Sequence, residues 1–167
     1  MTIEPNENTP TRNRVAGKIA IVCGAGSVGE GWGNGKAAAF VYGKEGAKIL
    51  CVDYREDAAE QTAELIRAAG GEAIAHAADV TDESAVQSLV DHCVTEWGRV
   101  DILHNNVGGQ GTGRGLNTIT VEDWNATFAR NVTSAMLTCR AVVPVMESHG
   151  GGAIVNIASI AGIRHLN

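Results

Sequence analysis

Apolar residues along this chain form short continuous runs, separated by longer segments with helical spacing. Each continuous run is rich in aliphatic or β-branched residues and is bounded by glycine or charged residues, which predicts a buried strand. The runs predict five strands, over residues 18–24, 47–53, 72–79, 101–106 and 153–159. Continuous apolar runs are typical of strands that are covered on both faces of a sheet.

The segments between these runs repeat apolar residues every three or four positions, which predicts helices. The expected helices run from about Asn34 to Lys44, over 56–70, from a Thr81 cap onward, and from about Val121 to Met146. Strands that alternate with helices at this spacing predict an α/β fold, a Rossmann-like doubly wound parallel sheet with helices on both faces. Ligands of such sheets bind beyond the carboxyl ends of the strands.

One side of the last predicted helix is apolar over most of its length. It comprises Trp124, Phe128, Val132, Ala135, Met136, Cys139 and Val143. This side is either an interface with another chain or the face that packs on the core, and the sequence leaves both alternatives open.

Length and composition are those of an ordinary globular protein. The 167 residues suffice for one domain, expected over 17–167 after a polar, flexible tail at 1–16. A net charge of −6 without a basic stripe argues against nucleic acid as a partner, and no apolar run approaches the roughly 18 residues of a membrane helix. Four cysteines without a C-x-x-C pair predict buried free thiols in a reducing, cytoplasmic compartment, and no metal site is expected.

The stretch after the first predicted strand holds six glycines in twelve residues, from Gly24 to Gly35. Residues 24–29 fit the dinucleotide pattern G-x-G-x-x-G, but a helix beginning there would contain several glycines, each costing about 1 kcal/mol relative to alanine. We therefore expect a long loop over 24–33 and a helix that begins near Asn34. Backbone N–H groups of this loop and of the helix N-terminus can face a pyrophosphate, and the candidate residues are Gly24, Gly26, Ser27, Gly33 and Gly35. A loop without a ligand is the alternative, and Trp32 either covers the ligand or packs on the sheet.

Acidic residues end the second and third predicted strands. Asp53 can accept hydrogen bonds from the hydroxyls of an adenine ribose and repels a 2′-phosphate, which favours NAD over NADP. Arg55 weakens this preference, and Asp53 could instead cap the next helix. Asp79, followed by Val80, either accepts a hydrogen bond from an adenine amino group or caps the helix that follows.

Five features in this order resemble the short-chain dehydrogenase/reductase family, and the resemblance covers about residues 17–167. They are the glycine turn 24–35, Asp53, "DV" at 79–80, "NNVG" at 105–108, and "NVTSAM" with "IVNIASIAG" at 131–136 and 154–162. The resemblance implies that Asn105 and Gly108 support the central strand and border the adenosine. It also implies that Asn131 helps to hold a water in a proton relay and that Ser159 hydrogen-bonds the substrate oxygen. From the residues alone, Asn131 could make only a local backbone bond, and Ser159 could be a turn serine.

The sequence departs from the family pattern at two places. The glycine turn is longer than usual. A long turn also occurs in the enoyl-reductase branch of the family, so enoyl reduction is a further, less favoured alternative. The family's Y-x-x-x-K motif is missing, because eight residues follow Ser159 and none is tyrosine or lysine. The chain therefore resembles the first part of a dehydrogenase without its C-terminal strands.

The expected function is that of an NAD-dependent oxidoreductase, which transfers a hydride between nicotinamide and an alcohol or ketone substrate. This chain would be its cofactor-binding part, inactive alone and homo-oligomeric when complete. The alternatives are a non-catalytic NAD-binding fragment and a methyltransferase that uses S-adenosylmethionine.

Overall fold

The fold is built on a five-stranded parallel sheet with the strand order β3-β2-β1-β4-β5. The structure is a computed structural model, and it describes residues 12–29, 31–111, 115 and 117–160. The strands are β1 Ile19–Cys23, β2 Lys48–Asp53, β3 Glu72–Ala77, β4 Ile102–Asn105 and β5 Ala153–Asn156. The chain crosses from β3 at one edge to β4 on the other side of β1, so the strand order reverses beside β1. This arrangement confirms the predicted fold class.

Five α-helices connect and cover the strands in the part of the chain that the structure describes. They are α1 Asn34–Lys44, α2 Glu56–Ala68, α3 Glu83–Trp97, α4 Val121–Phe128 and α5 Ser134–Ser148. One core cluster packs α1 and α2 on one face of the sheet, and a second packs α3 and α5 on the other face. All five residues of β1 are buried between these layers.

The helix starts test the sequence predictions in detail. The prediction that α1 begins near Asn34 is confirmed, although Gly33 is its N-cap residue. The prediction that Thr81 caps α3 is wrong, because the cap is Asp82, whose Oδ1 accepts a hydrogen bond from Ala85 N at 2.8 Å. Thr81 instead lies in the preceding turn, where its N–H and its hydroxyl donate to Asp79 Oδ1.

The single helix predicted over 121–146 is interrupted. A π-helical turn, Ala129–Thr133, lies between α4 and α5. The core face of α5 carries Ser134, Leu137, Thr138, Val142 and Met146, which are buried. The apolar side singled out in the sequence is a different one, and Val132 and Met136 on it are 53% and 48% exposed. Most of that side is therefore exposed, while Cys139 on it packs against the core cluster.

Two chain segments lie in surroundings other than those predicted from the sequence. The last five residues of the predicted tail, 12–16, contact the body of the protein, where the N–H groups of Arg12 and Arg14 donate to Glu45 Oε2 at 3.1 and 3.0 Å. Every residue of β5 is exposed, although its sequence is that of a buried strand. No helix within the described ranges is long and apolar enough to cross a membrane.

Candidate functional site

A pocket of about 910 Å³ lies beyond the carboxyl ends of the strands. Seven residues singled out in the sequence line it: Gly24, Gly26, Ser27, Asp53, Asp79, Val80 and Gly108. The structure brings them together because parallel strands end at the same edge of the sheet. Five further lining residues carry polar side chains that sequence reasoning did not assign to the site, namely Tyr54, Thr81, Asn106, Gln110 and Arg130.

The glycine loop can approach the sheet closely only because two of its residues lack a side chain. Gly24 has a φ of +77°, and a Cβ atom there would lie 3.1 Å from Val107 N. A Cβ atom on Gly35 would lie within 1.9 Å of Gly24 O. The first turn of α1 therefore packs directly against the end of β1. Gly35 lies behind the pocket and shapes it without lining it.

The loop is closed on itself by Ser27. Its hydroxyl accepts a hydrogen bond from Gly33 N at 2.8 Å and donates one to Gly31 O at 3.1 Å. The N–H group of Gly33 is thus already bonded, and Gly33 does not line the pocket. Ser27 fixes the shape of the loop in front of the α1 N-terminus.

Asp53 joins the glycine loop to the end of β2. It is 9% exposed, its Oδ2 accepts a hydrogen bond from Gly26 N at 3.0 Å, and its Oδ1 accepts one from Arg55 N at 3.1 Å. A carboxylate offers about four acceptor positions, so two remain for a ligand in the pocket. A Cβ atom on Gly26 would lie 2.7 Å from Asp53 Oδ2, which makes glycine necessary beside this carboxylate.

Arg55 lines the pocket beside Asp53. Its Nη2 donates to Ser27 O at 2.5 Å, and its guanidinium lies 5.8 Å from the centre of the Tyr54 ring. Its Nε is buried and has no hydrogen-bond partner among the described residues. A buried donor without a partner is costly, so this nitrogen is a group that a bound ligand or water could satisfy.

Asp79 and Val80 follow β3 at the same edge. Asp79 Oδ1 accepts from Thr81 N at 2.9 Å and from Thr81 Oγ1 at 2.7 Å, so Asp79 organises the turn before α3. Val80 is buried in the core cluster and also lines the pocket. The alternative that Asp79 caps the following helix is wrong, because Asp82 caps α3 and Asp79 bonds the turn before it. Asp79 also lines the pocket.

The two asparagines after β4 have different roles. Asn105 is buried, donates to Asn156 Oδ1 at 2.9 Å and accepts from Thr138 Oγ1 at 2.9 Å, so it connects β4 to β5 and α5. Asn106 lines the pocket and donates to Gly24 O at 3.2 Å. The sequence shows two adjacent asparagines. Because side chains alternate along a strand, one of them, Asn105, faces the core and the other, Asn106, faces the pocket.

Asn131 lies in the π-helical turn and holds the loop after β4. Its Oδ1 accepts from Gly109 N at 3.0 Å, and its Nδ2 donates to Gly109 O at 3.1 Å and to Thr127 O at 2.9 Å. A Cβ atom on Gly108 would lie 3.1 Å from Asn131 Oδ1. The Asn131 side chain therefore makes a local backbone bond, to Thr127 O, and also bonds Gly109 in the loop after β4.

Ser159 and Trp32 complete the predicted set. Ser159 follows β5 by three residues and is exposed. Trp32 packs edge-to-face on Phe40, with ring centres 5.1 Å apart, and Lys36 Nζ lies 5.5 Å from the centre of its ring. Trp32 is thus packed against the core cluster beneath α1, and it does not line the pocket.

Three buried thiols and one buried imidazole stay uncharged in this fold. The cysteines are free, and burial raises the pKa of Cys23, Cys51 and Cys93 to about 12. His104 on β4 is 5% exposed, its Nδ1 lies 3.2 Å from Tyr42 Oη, and burial lowers its pKa. These thiols and this imidazole belong to the core and not to the pocket chemistry.

The reversal of strand order beside β1 and the pocket at the carboxyl ends of the strands define a Rossmann-like α/β protein. The chain belongs to the short-chain dehydrogenase family, whose model matches residues 18–167. This match confirms the resemblance and makes the chain homologous to NAD(P)-dependent oxidoreductases.

Curated relatives and solved structures are similar to this chain. The chain is 40% identical over 151 residues to D-threitol dehydrogenase of Mycolicibacterium smegmatis. The alignment covers 89% of this chain and 55% of that protein. A structure assigned to the family from Burkholderia xenovorans is 48% identical with a TM-score of 0.86, over 90% of this chain and 60% of that one. A structure of 7α-hydroxysteroid dehydrogenase complexed with NADH and 7-oxo glycochenodeoxycholic acid is 33% identical with a TM-score of 0.84. The match covers 98% of this chain and 60% of that chain. The chain thus spans between half and two thirds of the length of these relatives.

Proposed function

We propose that this chain is the cofactor-binding part of an NAD-dependent oxidoreductase that acts on an alcohol or ketone. The observation that carries the proposal is the Asp53 carboxylate, held at the end of β2 by Gly26 N–H and facing a pocket of about 910 Å³. The relative solved with NADH supports a nicotinamide cofactor.

The described residues fit the adenosine and pyrophosphate portions of NAD. Asp53 has acceptor positions left for ribose hydroxyls, while its negative charge opposes a 2′-phosphate. Gly24, Gly26 and Ser27 bring backbone to the pocket in front of the α1 N-terminus, where the helix dipole favours an anion. Asp79 and Val80 border the same pocket on the β3 side, and Gly108 does so on the β4 side.

Bound NAD would accept or supply a hydride at its nicotinamide. The chain's own residues would bind and orient the reactants. Asn131 fixes the loop at Gly109 and could hold a relay water on its remaining hydrogen-bonding capacity, and Ser159 would orient the substrate oxygen through its hydroxyl. The substrate class is supported by the names of the relatives, which act on a polyol and on a steroid alcohol.

A second candidate is a chain that binds NAD without catalysis. The specific observation in its favour is that the described residues lining the pocket include no lysine and one tyrosine, Tyr54, which lies next to Asp53 in the chain. Membership of the short-chain dehydrogenase family leaves the methyltransferase alternative without support.

We also propose that the protein forms a homo-oligomer through the apolar side of α4 and α5. The rings of Trp124 and Phe128 lie 5.0 Å apart on this side. The large apolar residues exposed along it are Val121, Trp124, Phe128, Val132, Met136 and Val143. Contiguous exposed apolar surface of this kind marks interaction sites.

Calorimetric titration with NAD and NADP tests the cofactor assignment. Asp53→Asn should weaken NAD binding about tenfold or more and narrow the preference for NAD over NADP, because the mutation removes the charge that opposes the 2′-phosphate. Asp57→Asn is the matched control, since Asp57 is an exposed carboxylate in the first turn of α2. Unchanged NAD affinity and cofactor preference in Asp53→Asn would overturn the assignment. NAD binding without turnover on a panel of secondary alcohols would favour the second candidate.

A further inference from the structure

Two histidines face each other outside the cofactor pocket, between β3 and α3. His76 lies on β3, on the same face as Ile74, which packs against the core cluster that contains α3. His92 lies on α3, and the two Nδ1 atoms are 2.8 Å apart. The ring centres are 4.9 Å apart with an interplanar angle of 53°. Both rings are carried by regular elements, so the backbone fixes their separation.

The distance between the two rings limits how many protons lie between them. Two N–H groups cannot point at each other at 2.8 Å, so at most one of the facing nitrogens carries a proton. The other facing nitrogen keeps a lone pair, which can bind a metal.

Glu96 orients the second imidazole. Its Oε1 lies 3.8 Å from His92 Nε2, one helical turn further along α3. A carboxylate on this side favours the proton at Nε2 and leaves the lone pair of Nδ1 directed at His76. Carboxylates behind metal-bound histidines commonly have this role.

The geometry points to a binding site for a divalent transition-metal ion, such as Zn²⁺, between Nδ1 of His76 and Nδ1 of His92. Tetrahedral ligands at about 2.05 Å from Zn²⁺ lie about 3.3 Å apart, so the two nitrogens need to separate only slightly. The described residues contain no group of three or more His, Cys, Asp or Glu side chains that could hold a metal, so water completes the coordination. The His92 side chain is 35% exposed, which gives the ion a path from solvent.

A bound ion would connect β3, an edge strand of the sheet, to α3. Any ligand that binds the folded chain and not the unfolded chain raises the stability of the fold. The site does not depend on the cofactor proposal, because neither histidine lines the pocket.

The test is a calorimetric titration of the tag-free protein with Zn²⁺ in a non-thiol reductant, together with thermal melts with and without Zn²⁺. Wild type should bind one ion per chain and melt at a higher temperature with Zn²⁺. His76→Gln and His92→Gln should each weaken binding at least tenfold and lose the stabilisation, and Glu96→Gln should weaken it several-fold. His149→Gln is the matched control, because His149 is exposed at the end of α5 and outside the pair.

Two results would overturn the site. One is Zn²⁺ affinity in His76→Gln and His92→Gln equal to that of wild type, and the other is loss of binding in Cys139→Ser, which would assign the ion to a thiol. Nitrogen-detected NMR of the imidazoles in the wild-type chain provides a check that does not depend on folding of the variants. Zn²⁺ should shift the resonances of both His76 and His92, and unshifted resonances would contradict the proposal.

Discussion

Single residues explain how the glycine-rich segment lies close to the end of β1. Gly24 needs its positive φ and its closeness to Val107, and Gly35 needs closeness to Gly24 O. By contrast, a Cβ atom on Gly29 would meet no atom within 4 Å. The six glycines thus do not share one role. Gly24 and Gly35 are needed where the chain packs closely against the end of β1, and Gly29 is not.

Gly35→Ala should therefore destabilise the protein. The added methyl group would lie 1.9 Å from the Gly24 carbonyl oxygen, a backbone atom. Forced packing costs about 1–3 kcal/mol, and an overlap this close should reach the upper end of that range. The cost then exceeds the gain of about 1 kcal/mol in helix propensity. Urea unfolding measures the loss, and Gly29→Ala is the matched control, expected within about 0.5 kcal/mol of wild type. Equal stability of Gly35→Ala and wild type would contradict the close approach of α1 to β1.

His104 should make the stability of the fold depend on pH. Its folded-state pKa is lowered by burial below the value of about 6.5 for an unfolded chain. Between these two values the unfolded state binds more protons, so stability is complete above about pH 6.5 and falls as the pH drops through the folded pKa. One histidine can contribute at most about 1.4 kcal/mol per pH unit.

Urea unfolding at pH 7.5 and 5.5 checks this dependence, with His104→Gln as the comparison. Glutamine does not titrate, so the loss of stability between the two pH values should be smaller in the variant. The pKa of His76 is also lowered, so His76 makes stability fall with pH in the same direction. Because wild type and variant both contain His76, its effect cancels when their pH dependences are compared. The same pH dependence in wild type and variant would show that His104 is not the group responsible.

At the scale of elements, the hydrophobic pattern was sufficient for the strands and most helices. The start of α1 at Asn34 could be predicted because glycines disfavour an earlier start. The break between α4 and α5 could not, because the π-helical turn is coupled to contacts of Asn131 with Gly109, which is distant in the sequence. The cap of α3 was missed because Thr81 and Asp82 are adjacent and are both good N-cap residue types, so the sequence does not decide between them.

The π-helical turn leads to a prediction about the loop after β4. Asn131→Ala removes the acceptor of the Gly109 N–H and the donor to Gly109 O, so the amide of Gly109 should lose its protection from hydrogen exchange. The cost in stability should be about 1–2 kcal/mol for these bonds. Asn125→Ala, at an exposed position of α4, is the control and should leave that amide protected. Full protection of the Gly109 amide in Asn131→Ala would contradict the contact.

At the scale of the whole molecule, the candidate site follows from topology more than from any one motif. Parallel strands bring Gly24, Asp53, Asp79 and Gly108 to one edge, which the alternation of strands and helices could predict. Asn106 and Arg130 could not be predicted as pocket residues, because the direction of their side chains depends on the loop after β4 and on the π-helical turn. Exposure of the apolar side of α4 and α5 likewise required the packed structure.

This apolar side should control association of the chain. Sedimentation velocity should show a dimer or larger species for wild type, and Met136→Glu should shift it toward monomer, because a charge is costly in an apolar interface. Gln87→Glu, on the exposed face of α3, adds the same charge elsewhere and should leave association unchanged. A monomeric wild type, or association unaffected by Met136→Glu, would contradict an interface at this side.

The central claim is that the pocket holds NAD with its adenine ribose at Asp53. A crystal structure of the chain with NAD tests this claim most directly. The account predicts ribose hydroxyls about 2.5–3.0 Å from the Asp53 carboxylate oxygens and the pyrophosphate next to the glycine loop, in front of the α1 N-terminus. A nucleotide bound at another place, or bound here with its ribose turned away from Asp53, would contradict the account.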